Sequence, residues 1–186
     1  LIQSALLAQV SDVAPRTAPA MVFTEIPADQ AAAFDQAVAR EAGSLGPDAY
    51  LRMPFVTGRI AALKGAPVKI ETIKPGERWA FDNDISLSAI GPVPPNPGVV
   101  SGAWWPAAYA GPPLVALSTD AAKGGNLKVG DMITLSILGR DIDARVAALR
   151  QVDFDGFWAR FPVVLDPPGP PGVDMRPVGI VKATRP

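Results

Sequence analysis

The most regular pattern in this chain is an alternation of apolar and polar residues over two neighbouring segments of its second half. A turn at Gly139-Arg140-Asp141 separates the two segments. The alternating apolar positions are Ile133, Leu135, Ile137, Ile142, Ala144 and Val146. Because successive side chains of a strand point to opposite faces, this pattern predicts a β-hairpin with one buried face, as part of a small β-barrel or sandwich.

The first half of the chain has a different pattern, with one helical segment between two apolar strands. Met21–Ile26 is mostly apolar and is typical of a buried strand. Ala28–Ala42 is rich in alanine and has no internal glycine or proline, so we predict a helix there. A second strand region follows over Ala49–Leu63, and a turn at Lys64–Pro67 leads into Val68–Ile70. This order predicts an α+β fold.

The remaining apolar segments are short and are separated by loops rich in proline and glycine. Residues 74–113 contain several such loops, so we predict an irregular connection there. Asp120–Lys123 suits a single helical turn. Further short strands are predicted at Leu114–Leu117, Phe161–Leu165 and Val178–Val181.

The composition of the chain excludes several classes of function. The 186 residues include no histidine and no cysteine, which excludes a Ser-His-Asp triad, thiol catalysis, disulfides and zinc sites built on these residues. Lys and Arg (17) balance Asp and Glu (18), which argues against a nucleic-acid-binding protein. No apolar run reaches the ~18 residues of a membrane span. Because the first residue is leucine, we expect the chain to be a piece of a longer protein.

Aspartate pairs are the candidate chemistry of this sequence. Asp-x-Asp occurs at Asp82/Asp84, Asp141/Asp143 and Asp153/Asp155. Such pairs bind divalent cations, or act as acid and base in a hydrolase, only when further groups converge on them. The flanking residues supply no such groups, so we assign no catalytic, metal-binding or cofactor-binding residue. Gly124–Asp131 lacks a Lys-Ser/Thr after its last glycine and predicts a turn before a strand, not a phosphate loop.

The aromatic residues are concentrated in two places. One is the pair Trp104-Trp105, and the other comprises Phe154, Phe157, Trp158 and Phe161. Two interpretations are open at this point. The rings fill a seam between two subdomains, or they line a hydrophobic groove for a ligand or a partner protein.

The order and spacing of several segments resemble a known family. These segments are Val99–Pro106, Leu114–Ser118, Ala121–Lys123, Leu127–Leu135, Leu138–Arg140 and Ala148–Asp153. Together they resemble the extracytoplasmic domain of FtsX-like, MacB-type ABC transporter permeases. The resemblance covers roughly residues 20–165, with a G-x-W element, an L-x-x-G-D turn and a hairpin closed by Gly-Arg as its main features.

The resemblance implies an arrangement of the chain. Residues 1–18 would be an amphipathic stub leading from a membrane helix. A strand-helix-strand, porter-like subdomain would be formed from both ends of the chain, residues 19–75 and 158–186. Residues 76–157 would be an inserted β-rich subdomain.

The resemblance also implies a function without catalysis. The domain would lie on the periplasmic, extracytoplasmic face of the bacterial inner membrane, as part of an integral membrane protein. Its partners would be the transmembrane helices of the same permease, a cytoplasmic ATP-binding subunit acting through them, and a substrate or protein outside the cytoplasm. No cofactor or nucleic acid is expected. Two alternatives stay open, a free-standing periplasmic ligand-binding or adaptor domain with a tryptophan-lined groove, and a carboxylate-based hydrolase.

Overall fold

The computed structural model shows a mostly β protein. It describes residues 19–23, 26–27, 29–42, 50–90, 98–152, 161–167, 169 and 172–182. Strands make up 43% of the structure, and six of them close into a β-barrel. The α+β fold with a strand-helix-strand, porter-like subdomain that the sequence predicted is therefore wrong.

The strands and helices of the described residues are numbered in chain order. The strands are β1 (Pro19–Phe23), β2 (Tyr50–Leu63), β3 (Ala66–Pro67), β4 (Ile85–Ala89), β5 (Val99–Gly102), β6 (Leu114–Ser118), β7 (Met132–Ile137), β8 (Arg140–Arg150), β9 (Val163–Leu165) and β10 (Arg176–Lys182). The α-helices are α1 (Ala31–Ala42) and α2 (Thr119–Gly124), and the 3-10 helices are Ile70–Thr72 and Pro75–Ala80.

The barrel closes in the order β2-β4-β9-β6-β8-β7, with β7 paired back to β2. The β4–β9 and β6–β8 pairs are parallel, and the other four pairs are antiparallel. Parallel neighbours need long connections, so the barrel brings together segments that are far apart in the chain. Local patterns in the sequence do not carry this information.

The β7–β8 hairpin has the register that its alternating pattern predicts. Ile133 lies opposite Ala144, and Leu135 lies opposite Ile142. Ile133, Leu135 and Ala144 are fully buried, so the predicted buried face is confirmed. The turn is closed by Leu138 and Gly139, which both have positive φ, as hairpin turns of two residues require.

The barrel interior is filled by aliphatic side chains, and one end of it is covered by helices. The largest buried residues there include Ile60, Leu87, Leu117 and Leu135. The short helix α2 and the 3-10 helix Pro75–Ala80 pack on each other, and both contribute buried alanines to the same core. A rigid, close-packed body of this kind gains its stability mainly from apolar burial.

β2 is longer than the barrel needs, and its first part belongs to a second sheet. Residues 50–55 pair with β10, which in turn pairs with β1. Helix α1 packs here, with the ring centroids of Phe34 and Phe23 5.0 Å apart. Val38 and Val181 belong to the same small cluster. We call the part formed by β1, β10, residues 50–55 and α1 the extension.

The two ends of the described chain lie side by side in the extension. β1 and β10 are antiparallel, and Pro19 is the Cα partner of Lys182. Val181 is paired with Tyr50, at the start of β2. The first and last described residues of the two strands therefore lie together, at the opposite end of β2 from Leu63.

Most local predictions agree with the structure, and three do not. The turn predicted at Gly139-Arg140-Asp141 is formed by Leu138 and Gly139, because Arg140 and Asp141 already belong to β8. The strands predicted near residues 21, 49–63, 114, 163 and 178 are present, as are the helix and the helical turn. Residues 74–113 contain β4, β5 and a 3-10 helix, so the prediction of an irregular connection is wrong. Val68–Ile70 is not a strand, because β3 ends at Pro67. The division of the chain into subdomains stays a prediction.

Some predictions fall outside the described residues. These are the amphipathic stub over 1–18, the Asp153/Asp155 pair, and the rings of Phe154, Phe157 and Trp158.

Candidate functional site

The two described aspartate pairs do not form a common site. Asp82 lies before β4 and accepts a hydrogen bond from Asn83 Nδ2 at 2.7 Å. Asp143 lies on β8, where its carboxylate accepts from Thr134 Oγ1 at 2.7 Å. Within the part of the chain that the structure describes, no three Asp or Glu residues are placed to hold a metal ion.

The turn before β7 is held by a lysine from the neighbouring hairpin. Asp131 Oδ2 accepts from the backbone N–H of Lys128 at 2.8 Å and lies 3.3 Å from Lys64 Nζ. Lys64 Nζ also donates to the carbonyl of Asn126 at 2.6 Å. The hydrogen bond from Lys128, followed by the interactions with Lys64, lowers the pKa of the Asp131 carboxyl. The predicted turn is therefore confirmed, and its charged residues stabilise its conformation.

The tryptophan pair belongs to a second apolar cluster, on the outside of the barrel. The ring centroids of Trp104 and Trp105 are 4.5 Å apart. Trp105 is 3% exposed and packs in a cluster with Met53 and Phe161. Its indole N–H donates to the carbonyl of Ile90 at 2.8 Å. Trp105 thus packs between the outside of the barrel and β10, and its indole N–H is satisfied.

A buried arginine ends β8. Arg150 is 2% exposed, and its Nη2 donates to the carbonyl of Phe161. Its Nε has no hydrogen-bond partner among the described residues. Burial lowers the pKa of this guanidinium to about 10, and the group therefore stays charged at neutral pH. The sequence carries a signal for this burial, because Arg150 continues the alternation of Ala144, Val146 and Ala148, which are all buried.

A buried carboxylate joins β9 to β6. Asp166 is 7% exposed, and its Oδ1 accepts from the backbone N–H of Leu114 at 2.7 Å. The backbone N–H of Asp166 donates to the carbonyl of Leu114 at 3.1 Å. Burial raises the pKa of this carboxyl, and the interactions of the carboxylate with the backbone N–H groups of Leu114 and of Asp166 itself only partly oppose the shift. The sequence analysis missed this residue, because a single Asp after a short strand reads as a loop residue.

A third charged cluster joins α1 to the first residues of β2, within the extension. Asp35 of α1 accepts from the Tyr50 hydroxyl at 2.8 Å and from Arg52 Nε at 3.0 Å. Burial, with the hydrogen bond to Asp35 next in size, raises the pKa of the Tyr50 hydroxyl far above its ordinary value. Because the Asp35 carboxylate accepts from two side chains of the sheet, this cluster stabilises the packing of the helix on the sheet.

A concave surface lies where β8 begins. A groove of about 620 Å³ is lined by Pro113, Arg140, Asp141, Ile142 and Asp143. On one side of β8 these residues pair with β7, but on the other side β6 pairs only from Leu114 onward. The groove therefore follows a stretch of strand edge to which no other described strand is bonded. We call it the β8 groove.

Comparisons with known proteins add no identification. No family model matches the chain, and a search among curated proteins finds no match either. In the described ranges, no helix has both the length and the apolar character needed to cross a membrane.

Proposed function

We propose that this chain is a non-catalytic extracytoplasmic domain of an ABC transporter permease. In this role it couples ATP-driven motion of membrane helices to a substrate or a partner protein outside the cytoplasm. The resemblance of residues 20–165 to this family is the origin of the proposal. The observation that carries it is the pairing of Pro19 with Lys182.

The paired ends fit a domain inserted between two consecutive membrane helices. Such a domain must receive the chain from one helix and return it to the next at nearly the same place. The antiparallel strands β1 and β10 fit this requirement, because Pro19 is paired with Lys182 across a register shift that follows at Met21. An insertion of this kind leaves the fold of the domain intact, because both connections leave from the same end.

The long strand β2 fits the coupling role. It has 14 residues, which corresponds to about 45 Å of extended chain. Its first part is hydrogen-bonded to β10, next to the two chain ends, and its last part is a wall of the barrel. A displacement of the β1–β10 pair would therefore act on a strand that is also part of the barrel wall.

The partners follow from this placement. The membrane helices of the same permease would continue from the β1 and β10 ends, and the ATP-binding subunit would act on them from the cytoplasm. The barrel would face the substrate or partner protein. The buried charges Arg150 and Asp166 are inaccessible to a substrate and have structural contacts, so we assign them no catalytic role.

A labelling experiment on the full-length parent protein tests the location. A single cysteine replaces Leu138, which is 70% exposed, in a parent from which any other cysteine has been removed. We expect a membrane-impermeant maleimide to label it in intact spheroplasts. The matched control carries its cysteine in the cytoplasmic ATP-binding subunit and reacts only after lysis. Protection of the Leu138→Cys protein until lysis, or a parent gene without apolar segments of ~20 residues on both sides, contradicts the proposal.

Amide exchange in the purified transporter tests the coupling. We expect ATP binding to change the exchange of residues 19–23 and 176–182 and of the barrel part of β2, residues 56–63. The control is the same preparation with a non-hydrolysing, non-binding ATP subunit. A change confined to the membrane helices would show that the domain does not move with them.

A further inference from the structure

The backbone of β8 offers unused hydrogen-bonding groups along the β8 groove. The N–H of Arg145 points towards β6, where it donates to the carbonyl of Pro113 at 2.9 Å. Backbone groups of a strand point to alternate sides, and the β7–β8 ladder has no register shift between Arg140 and Arg145. The N–H and C=O groups of Asp141 and Asp143 therefore also point to the side of the groove.

Two prolines explain why this edge is open. β6 would have to begin earlier to cover it, but the residues before Leu114 are Pro112 and Pro113. Proline has no backbone N–H to donate to a neighbouring strand. Pro113 can only accept, as it does from Arg145. Among the described residues the groups of Asp141 and Asp143 on this side have no protein partner.

Two carboxylates lie on the outer face of this edge, with Arg140, which also lines the groove, before them and the exposed Arg145 after them. Residues 142, 144 and 146 face the barrel core, so the alternate side chains of Asp141 and Asp143 face outward. Both aspartates are exposed. In a neighbouring strand, the residues beside them on the same face would be stabilised by carrying the opposite charge.

We propose that the β8 groove binds an extended, basic segment of a partner protein as an added β-strand. The segment would exchange backbone hydrogen bonds with Asp141 and Asp143, and its alternate Lys or Arg side chains would lie beside the two carboxylates. This mode of recognition takes its affinity from main-chain bonds and its specificity from alternate side chains. The proposal goes beyond the permease proposal and does not depend on it.

Amide exchange and chemical shifts measured by NMR test the proposal on the 186-residue chain. The probe is an acetylated and amidated peptide of alternating threonine and lysine. We expect millimolar peptide to slow the exchange of the Asp141 and Asp143 amides. A peptide with glutamate in place of lysine should bind more weakly. Unchanged exchange at these two amides overturns the proposal.

Two further arms separate strand addition from simple charge attraction. A peptide of the same sequence with N-methylated backbone amides keeps its charge but cannot complete a ladder, and we expect it to lose binding. The double variant Asp141→Lys/Asp143→Lys should bind the lysine peptide about tenfold more weakly. The double variant Asp82→Lys/Asp84→Lys makes the same change in charge at two exposed positions outside the groove and should leave binding unchanged.

Each of these arms can contradict the proposal. Equal binding of the N-methylated peptide would mean that the edge of β8 is not used. An equal loss of affinity in Asp82→Lys/Asp84→Lys and in Asp141→Lys/Asp143→Lys would mean that only the net charge matters. The peptide arms use the unaltered protein, so they stand even if the double variant does not fold.

Discussion

At the scale of single residues, a buried polar group can stabilise the fold through its hydrogen bonds although burial disfavours its charged form. Asp166 holds the start of β6 through the N–H of Leu114, in surroundings that disfavour its charge. An amide N–H left without an acceptor in the same place would cost about 1–3 kcal/mol. The carboxylate is therefore retained for its hydrogen bond, although its ionised form is poorly solvated there.

Asp166 gives the protein a pH dependence of known sign. Its pKa is raised above the ordinary value of 3.8, so the native state binds this proton more tightly than the unfolded chain. The free energy of unfolding therefore falls as pH rises from that value through the native pKa. We expect Asp166→Asn, which keeps an acceptor, to remove this fall in urea titrations across the same range of pH.

The matched variant Asp166→Ala separates the hydrogen bond from the charge. It removes both, and we expect it to lose about 1–3 kcal/mol of unfolding free energy relative to Asp166→Asn. An equal stability of the two variants would show that the bond to Leu114 contributes nothing.

Gly58 is a second residue whose identity is fixed by its contacts. A Cβ there would lie 2.7 Å from Leu87 Cδ1 and 2.9 Å from the carbonyl oxygen of Ser136. We expect Gly58→Ala to lower the free energy of unfolding by about 1–3 kcal/mol, because the barrel wall must shift. Gly76→Ala is the control, since a Cβ at that position meets nothing within 4 Å. The two variants should differ clearly in thermal unfolding, and similar midpoints would contradict this.

At the scale of elements, two hairpin turns have the same backbone and different side-chain contacts. Leu138-Gly139 and Lys64-Gly65 both have positive φ at both positions. Lysine is retained in the second turn by its bonds to Asn126 and Asp131. Leu138 is exposed and makes no such bonds, so its left-handed backbone conformation lowers the free energy of unfolding without compensation.

Leu138→Asn should therefore stabilise the protein. Asparagine tolerates the left-handed region and, before glycine, is the preferred residue of this turn. We expect a gain of about 0.5–1 kcal/mol in chemical unfolding. Lys64→Asn is the comparison, where the same backbone gain is offset by the lost contacts. A destabilised Leu138→Asn would mean that the exposed leucine contributes to the native fold.

The elements themselves could largely be predicted from the sequence. The β7–β8 hairpin follows from strict alternation, and α1 follows from an alanine-rich segment without breakers. β4 and β5 were missed, because they are short and lie among prolines and glycines that indicate loops. Asp141 and Asp143 were noticed as carboxylates, but the open strand edge beside them depends on where β6 begins to pair, which the local pattern does not give.

At the scale of the whole molecule, closure of the barrel is what the sequence could not predict. β4 pairs with β9 and β6 pairs with β8, so the strands of the barrel are chosen by pairing between distant segments. A resemblance between segments predicts the order of the strands along the chain, but it does not predict which strands pair with each other. In the structure, one strand, β2, is shared between the extension and the barrel.

The sharing of β2 predicts that the described parts unfold together. Met53 lies in the extension and the outer cluster, and Ile60 lies in the barrel core. We expect Met53→Ala and Ile60→Ala each to cost about 2–5 kcal/mol. In both variants, tryptophan fluorescence and far-UV circular dichroism should give the same single midpoint.

Thr57→Ala is the control on the same strand, because Thr57 is exposed. It should change the free energy of unfolding by less than about 0.5 kcal/mol. Two separate transitions in Met53→Ala would show that the extension and the barrel are independent folding units.

The position of the two chain ends also sets how the molecule responds to force. Pro19 and Lys182 are partners at the same end of an antiparallel pair. Pulling these ends apart would load the hydrogen bonds between β1 and β10 one at a time, as in opening a zip. Moving both ends in the same direction would load the whole body at once. A domain attached at these two ends would move as one body when its two attachment points move together. It would unfold, beginning with the β1–β10 pair, when the two attachment points move apart.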